Sequence, residues 1–307
     1  MWEEVFAVAA GEKGAMTSGE APAISVVIPA YNEEGRIAGQ LEALAEQTFA
    51  QTFEVVVADN GSTDRTAELV RSWSTRLPRV RVADASRSSG VNVARNVGVQ
   101  ESRAAKIAIC DADDRVHPGW LEAMSAGLDT YDAVAGPLEI ESVNPPDIVA
   151  FRTWRFTSLR PAFGFLPYAV GANCSFTREA YDRVGGFDES FAGGCDEIDF
   201  FWRLQLQGLE LGFAPGARVD YRFRPTRRET LRQLRSQATQ QPHLYRRFRD
   251  AGMARARANQ VAWRWFWLLA AIPSLPFSPL RRDRWRVTAA TSVGRLRGSI
   301  RYRALYL

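Results

Sequence analysis

The chain has 307 residues, of which 46% are hydrophobic and 24% are charged, a composition typical of a packed globular protein. Three widely spaced cysteines and two histidines argue against a disulfide framework and against a zinc site. Residues 218–307 contain 21 arginines, no lysine and four acidic residues, a net charge of +17, whereas the preceding residues carry 18 basic and 31 acidic side chains, a net charge of −13. The C-terminal part is therefore expected to face an anionic partner.

Residues 1–22, MWEEVFAVAAGEKGAMTSGEAP, do not have the pattern of a secretory signal. Glu3 and Glu4 stand where such a signal carries positive charge, and the apolar stretch is short. We interpret this segment as a flexible leader and expect the protein to stay in the cytoplasm.

Short apolar segments alternate with helical patterns between residues 24 and 114. The segments ISVVIPA, FEVVVAD, VRVADAS and KIAIC predict buried strands because they are short, continuous and rich in β-branched residues. RIAGQLEALAEQT, RTAELVRSW and GVNVARNVGVQES, between these strands, have apolar residues at helical spacing. This alternation predicts an α/β fold, with a mainly parallel sheet flanked by helices.

Polar segments follow three of the predicted strands: PAYNE the first, DNGS the second and DADD the fourth. Ligands bind beyond the carboxyl ends of the strands in such sheets. In DADD, three carboxylates lie within four positions, and Mg²⁺ or Mn²⁺ takes oxygen ligands of this kind. The alternative is an acidic strand end that leads into a solvated turn. Convergence of the three segments on one edge favours a site.

The pattern changes after residue 114. PGWLEAMSAGL predicts a helix, YDAVAGPLEI a strand, and RTWRFTSLRPAFGFLPY an irregular aromatic and basic segment over the site. GANCSFTREAYDRV predicts a strand and a helix. A second acidic cluster, DEID, begins the apolar helix DEIDFFWRLQLQG. The helix dipole favours acidic residues in a first turn, so this cluster also has a purely structural interpretation.

Six segments, in order, resemble the motifs of glycosyltransferase family 2: VVIPAYNE, VVVADNGSTDRT, GVNVARNVG, CDADD, GGFDESF and DEIDFFWRLQLQG. The resemblance covers residues from about 24 to 225. It implies the Rossmann-like GT-A fold and the transfer of a sugar from a nucleotide diphosphate to an acceptor hydroxyl, with inversion at the anomeric carbon. It also implies dependence on Mg²⁺ or Mn²⁺.

The resemblance further implies which residues bind the donor nucleotide. Ala30, Tyr31 and Glu33 are expected to lie against the nucleoside, and Asp59 is expected to recognise the base. These four residues all follow or end the first two predicted strands.

The remaining site residues are assigned in the same way. Arg95 and Asn96 are expected to flank the donor pocket, Asp111 to lie near the ribose and Asp113 to bind the metal. A final assignment concerns the general base.

Glu197 occupies the position of the catalytic aspartate of the family, but the usual Glu-Asp pair stands here in reversed order as Asp196-Glu197. The base assignment is therefore open between these two neighbours. A carboxylate within hydrogen-bond reach of the acceptor hydroxyl is the simplest general base for its attack.

We expect residues 23–225 to form the GT-A domain and residues 226–307 to form an Arg-rich helical extension. Sixteen uncharged residues, 265–280, are fewer than the about 20 that span a bilayer, and Pro273 and Pro276 interrupt them. Aromatic residues beside arginines favour a segment in the membrane interface. The residues expected to insert are Trp263, Trp265, Phe266, Trp267, Leu268 and Leu269. The alternative is a helical subdomain that docks its aromatic residues on the core.

This location suits an acceptor that is lipid-linked or a cell-envelope glycan, at an anionic membrane surface on the inner face of the cell membrane. Two rival functions remain. A nucleic-acid-binding protein would use the same positive charge, but no binding motif accompanies that charge. A nucleotidyltransferase of similar fold would need a Gly-rich phosphate loop where the chain has PAYNE. A processive polysaccharide synthase is disfavoured because no set of transmembrane helices is predicted.

Overall fold

The computed structural model describes residues 21–152 and 154–307, so residues 1–20 of the predicted leader lie outside the described residues. The strands are β1 (Ile24–Ala30), β2 (Phe53–Asp59), β3 (Val80–Asp84), β4 (Lys106–Cys110), β5 (Arg115–Val116), β6 (Ala133–Ala135), β7 (Leu138–Glu139), β8 (Asn173–Thr177), β9 (Leu211–Phe213) and β10 (Val219–Asp220). The α-helices are α1 (Ile37–Ala45), α2 (Thr66–Ser72), α3 (Val91–Glu101), α4 (Trp120–Gly127), α5 (Pro146–Phe151), α6 (Arg178–Val184), α7 (Asp196–Leu206), α8 (Arg227–Phe248), α9 (Ala258–Ala270) and α10 (Pro279–Arg301).

The predicted α/β fold with a mainly parallel sheet is confirmed. Seven strands form one sheet in the order β3-β2-β1-β4-β8-β6-β9, in which β3, β2, β1 and β4 are parallel. Strand β8 runs antiparallel to both β4 and β6. The order reverses between β1 and β4, because the chain builds β2 and β3 on one side of β1 and then crosses to the other. Such a switch point opens a crevice at the carboxyl ends of the strands.

The prediction of one strand over YDAVAGPLEI was wrong, because the segment divides into two strands in different sheets. Strand β6 joins the large sheet, whereas β7 pairs with β10 in a small sheet of order β5-β10-β7. Between them lie Gly136, where any β-carbon would clash with the carbonyl oxygen of Ala217, and Pro137, which has no backbone N–H for a ladder. The division places the small sheet directly after the acidic turn 111–114.

The C-terminal helices pack on each other and on the sheet domain. Gly294 and Gly298 of α10 lie against successive turns of α8, around Ala238 and Pro242, so the two helices run side by side in the same direction. Apolar residues then dock α8 and the chain end on α7: Phe191, Ile198, Trp202, Leu244, Phe248 and Tyr306 share one cluster. The C-terminal region therefore packs on the sheet domain, as the alternative of a docked helical subdomain predicts. Within the described part of the chain, no helix is long and apolar enough to cross a membrane.

The close contact between α8 and α10 predicts different effects for two glycine substitutions. A β-carbon on Gly298 would clash with the carbonyl oxygen of Thr239, whereas Gly39 in α1 has open space around it. We expect Gly298→Ala to lower the free energy of unfolding by about 1–3 kcal/mol through overpacking. Gly39→Ala should leave it unchanged or raise it by up to about 1 kcal/mol, because alanine is the better helix former.

Chemical denaturation followed by circular dichroism measures both values. Equal stability of Gly298→Ala and Gly39→Ala would contradict this packing of α10 on α8.

Candidate active site

A cavity of about 380 Å³ opens at the switch point between β1 and β4. Its walls come from the end of β1, the start of α3 and the acidic turn after β4. Five predicted donor or metal residues line this cavity: Ala30, Tyr31, Glu33, Asp111 and Asp113. The structure thus brings together residues that lie up to 83 positions apart in the chain.

Asp59 ends β2 beside the cavity and shapes its loop. One carboxylate oxygen of Asp59 accepts hydrogen bonds from the backbone N–H (3.1 Å) and the hydroxyl (2.5 Å) of Ser62. The next residue, Asn60, lines the cavity and holds the loop before α3: its amide donates to the carbonyl oxygen of Ala85 and accepts from the N–H of Gly90. Sequence reasoning noted the DNGS segment but did not assign Asn60.

The acidic turn brings three carboxylates together. Oxygens of Asp111, Asp113 and Asp114 all lie within 4.8 Å of one another. Asp114 is only 4% exposed, and one of its oxygens accepts from the backbone N–H of Arg222 (2.7 Å), whereas the other has no hydrogen-bond partner. A buried carboxylate oxygen without a partner is unfavourable. The cluster therefore fits a divalent cation, which takes oxygen ligands of this kind.

The raised pKa values of two carboxylates in this turn also favour a bound cation. Burial, opposed by Arg95 and assisted by the charge of Asp113, raises the pKa of Asp111 to about 6. Burial also raises the pKa of Asp114, with Asp111 and Asp113 adding to the effect. A bound cation would favour the ionised form of each and reverse these rises.

Arg224 is a cavity residue that sequence reasoning missed. Its exposed side chain lines the same cavity as Glu33 and Asp113. It partly offsets the rise that burial and Asp113 cause in the pKa of Glu33. Many arginines surround it in YRFRPTRRE, so the sequence contains no signal that separates it from them.

The predicted pocket residue Arg95 forms a buried ion pair. Arg95 of α3 and Asp196 of α7 are both about 95% buried and in direct contact. Gly171 packs against the guanidinium so closely that any β-carbon there would clash with it. Burial opposes the charge of Arg95, but the carboxylates of Asp196, Asp111 and Glu197 outweigh it and raise the pKa. Arg95 therefore connects the two acidic clusters electrostatically.

Asn96 does not line the cavity. Its amide donates to the carbonyl oxygen of Phe187 (2.9 Å) and to the carboxylate of Glu189 (3.0 Å), and it accepts from the hydroxyl of Tyr181 (2.8 Å) and the N–H of Phe187 (3.0 Å). These four bonds use the full capacity of an asparagine amide. The structure thus gives Asn96 the task of holding the GGFDESF loop against α3.

Asp196 and Glu197 lie in different surroundings. Asp196 is paired with Arg95, whereas Glu197 is half-buried and lines a second cavity of about 350 Å³ together with Tyr168, Tyr221 and other residues. Burial raises the pKa of Glu197, and the adjacent Asp196 raises it further. Among the described residues that line this second cavity, Glu197 supplies the carboxylate.

Comparison with known families agrees with this arrangement. The model described as "Glycosyl transferase family 2" matches residues 25–185, just over half of the chain. The chain belongs to glycosyltransferase family 2. A second model, "Glycosyl transferase family group 2", matches residues 106–292 and so reaches into the C-terminal helices.

Curated relatives support the same family. Glycosyltransferase AglE of Haloferax volcanii is 31% identical over 201 residues, which cover 63% of this chain and 64% of AglE. Validoxylamine A glucosyltransferase of Streptomyces hygroscopicus subsp. limoneus is 31% identical over 224 residues, which cover 62% of this chain and 49% of that protein. The matches thus span between about half and two thirds of these relatives.

Solved structures confirm the GT-A fold. Mannosyltransferase PcManGT from Pyrobaculum calidifontis, in complex with GDP-Man and Mn²⁺, has a TM-score of 0.64 at 20% identity, over 91% of this chain and 87% of that chain. TarS 1-349 of S. aureus in complex with UDP has a TM-score of 0.54 at 19% identity, over 91% of both chains. At this identity the likeness concerns the fold.

The different surroundings of Asp196 and Glu197 predict opposite effects on stability. Asp196→Asn leaves Arg95 buried without its partner, and we expect a loss of about 3–5 kcal/mol in the free energy of unfolding. Glu197→Gln removes a group whose pKa is raised on folding, so the folded parent holds this proton more tightly than the unfolded chain. The stability that this proton linkage contributes to the parent is lost as the pH rises above the ordinary pKa of a glutamic acid.

The melting temperature of Glu197→Gln should therefore rise relative to the parent between pH 4 and pH 8. Differential scanning fluorimetry of both variants and the parent across this range checks the prediction. The other titrating carboxylates are common to Glu197→Gln and the parent, so their effect cancels in the difference. A pH-independent difference would show that Glu197 titrates normally.

Proposed function

We propose that this protein is an inverting glycosyltransferase that moves a sugar from a nucleotide diphosphate to an acceptor hydroxyl, with Glu197 as the general base. The observation that carries the proposal is the presence of two cavities on the two sides of the Arg95–Asp196 ion pair. One contains the cation-binding carboxylates, and the other contains Glu197. This division suits a donor on one side and an acceptor on the other.

The donor cavity suits a nucleotide diphosphate. Ala30, Tyr31 and Glu33 would lie against the nucleoside, with Asp59 and Asn60 shaping the base pocket. Asp111, Asp113 and Asp114 would hold Mg²⁺ or Mn²⁺, which supplies charge stabilisation for the departing diphosphate. The complexes of PcManGT with GDP-Man and Mn²⁺ and of TarS with UDP support a donor of this class.

Arg224 adds a positive charge at the mouth of the donor cavity. Its guanidinium is exposed on the cavity wall, near Asp113, and can bind phosphate oxygens of the donor. Arg95 is buried and paired, so we assign it a positioning role.

Glu197 suits the acceptor side. As the acceptor oxygen attacks the anomeric carbon, its proton moves to the Glu197 carboxylate and the bond between that carbon and the diphosphate oxygen breaks. One displacement of this kind inverts the anomeric centre and needs no second, nucleophilic carboxylate. Glu197 must be ionised to accept the proton, and its raised pKa makes it a stronger base once it is. Asp196 keeps Arg95 in place.

Two substitutions separate donor binding from turnover. We expect Asp113→Asn to weaken the binding of GDP or UDP in the presence of Mn²⁺ while the fold remains intact. Glu197→Gln should retain that binding but lose on the order of 10²-fold or more in turnover, in the range of general-base removal. Titration calorimetry measures the affinities, and release of nucleotide diphosphate measures the turnover.

Asp129→Asn is the matched control, since Asp129 is an exposed partner of Lys106 outside both cavities. Equal nucleotide affinity of Asp113→Asn and the parent would contradict the role of Asp113 in binding the metal. If Asp196→Asn folds normally and alone abolishes turnover, the base is Asp196.

We further propose that the protein binds peripherally to an anionic membrane surface. The structure corrects which residues are available to insert: Leu268 is buried, and Trp265 and Trp267 are half-buried. The exposed apolar residues of this region are Trp263 (64%), Phe266 (58%), Leu269, Ile272, Phe277 (86%) and Leu280. Aromatic residues at an interface together with arginines on anionic headgroups suit reversible attachment.

Vesicle sedimentation tests this attachment. We expect more protein on vesicles with anionic lipid than on neutral ones, with less binding as salt rises, because charge attraction falls off within about 8 Å at physiological salt. Replacing Trp263, Phe266 and Phe277 by Ser should reduce binding further. Equal recovery from anionic and neutral vesicles at low salt would refute the electrostatic contribution. If only nucleic acid binds, the +17 region serves nucleic acid instead.

A further inference from the structure

A third and larger cavity, of about 930 Å³, lies between α5, α9 and the start of α10. Its apolar wall consists of Ala150, Phe151, Trp263, Trp267, Leu280 and Val287. Two of these, Trp263 and Leu280, also belong to the exposed apolar surface of α9 and α10. The cavity is therefore an apolar groove that opens on the surface proposed to meet the membrane.

Most of the charge in the groove is already balanced. Arg227 forms an ion pair with Asp283 at 3.0 Å and lies 3.9 Å from Asp147. Arg264 differs. Its Nε and Nη2 atoms are buried without a hydrogen-bond partner, and within the described residues its guanidinium is within 4 Å of no carboxylate.

A second guanidinium, that of Arg295 in α10, is not part of the groove lining. Burial lowers its pKa, and the charge of Arg264 lowers it further. Its Nε donates to the Gln241 side chain at 2.7 Å. Arg264 is thus a partly buried cation without a counter-ion, which is unfavourable, and a phosphate in the groove would satisfy it, since guanidinium groups bind phosphate oxygens through paired N–H donors.

The groove adjoins the cavity that contains Glu197. Phe151 and Val287 line both cavities. Gln241, which receives the hydrogen bond from Arg295, also lines the Glu197 cavity. The groove that contains Arg264 therefore lies next to the cavity of the carboxylate proposed as the base.

We propose that the groove and the adjoining Glu197 cavity form the acceptor site and take an amphiphilic phosphate: an apolar chain in the groove, a phosphate on Arg264, and a hydroxyl directed toward Glu197. The inference rests on the proposed function, because it assigns the acceptor of that same reaction. A lipid is the occupant that fits, since the groove is largely apolar, opens on an exposed apolar surface and contains the buried, unpartnered donors of Arg264.

Lysophosphatidic acid, which has one acyl chain, one phosphate and one hydroxyl, serves as the test ligand below its micellar concentration. Titration calorimetry of the full chain should show binding to it, with much weaker binding to monoacylglycerol, which lacks the phosphate, and to glycerol 3-phosphate, which lacks the chain. Equal affinity for glycerol 3-phosphate would overturn the role of the groove. Equal affinity for monoacylglycerol would overturn the role of Arg264.

Arg264→Gln should weaken lysophosphatidic acid binding about tenfold or more, in the range of a charged hydrogen-bond donor. Arg297→Gln is the matched control, because Arg297 is exposed on α10 two residues after Arg295. Val287→Trp should block the junction of the two cavities and inhibit transfer to an amphiphilic acceptor. Equal affinity of Arg264→Gln and Arg297→Gln for lysophosphatidic acid would overturn the inference.

Binding of GDP or UDP with Mn²⁺ to the same variants separates this inference from the proposed function. If Arg264→Gln and the parent bind the nucleotide equally and only lysophosphatidic acid binding falls, both proposals are supported. If the nucleotide binds but lysophosphatidic acid does not, the acceptor inference alone fails. If no nucleotide diphosphate binds to the parent, the proposed function fails.

Discussion

The buried ion pair between Arg95 and Asp196 is the interaction on which the rest of the site depends. It joins α3, whose first turn lines the cavity beside the acidic turn, to α7, whose first turn contributes Glu197 to the second cavity. Removal of one partner from a buried pair is strongly destabilising, because the other charge is left without compensation. Arg95 lies between Asp111 and Glu197 and lowers the pKa of both. One guanidinium therefore limits the repulsion among carboxylates that the chemistry requires close together.

The sheet determines where this pair can form. Strands β1 and β4 meet at the switch point, so the turns after them open on one crevice, and α3 begins at the same edge. Strand β8 then runs back antiparallel to β4 and leads through α6 to the GGFDESF loop. Asn96 holds that loop with three hydrogen bonds, to Phe187 and Glu189, which brings the start of α7 over α3. The acidic helix end thus approaches the acidic turn although 82 positions separate Asp114 from Asp196.

The C-terminal helices complete the acceptor side. Helix α8 packs on α7 through Trp202, Leu244 and Phe248. Leu234, Gln237 and Gln241 of α8 supply a wall of the Glu197 cavity. Helices α9 and α10 extend the wall into an apolar groove. Since the C-terminal region both docks on the core and leaves an exposed apolar surface, the two interpretations of its aromatic residues are compatible: Leu268 packs inward, whereas Trp263 remains exposed.

The sequence by itself determined the α/β fold, the family and the two acidic clusters. Buried strands and amphipathic helices leave local patterns, and motifs such as CDADD are contiguous. Contacts between distant residues leave no local pattern in the sequence. Only the tertiary structure therefore decided that Asp196 is paired with Arg95 and that Glu197 lines a cavity. Likewise, only the tertiary structure distinguishes Arg224, on a cavity wall, and Arg264, with buried unpartnered donors, from the other arginines among the 21 of residues 218–307. Local composition shows that charge is abundant, whereas the neighbours that neutralise a given charge, or fail to, come from distant parts of the chain.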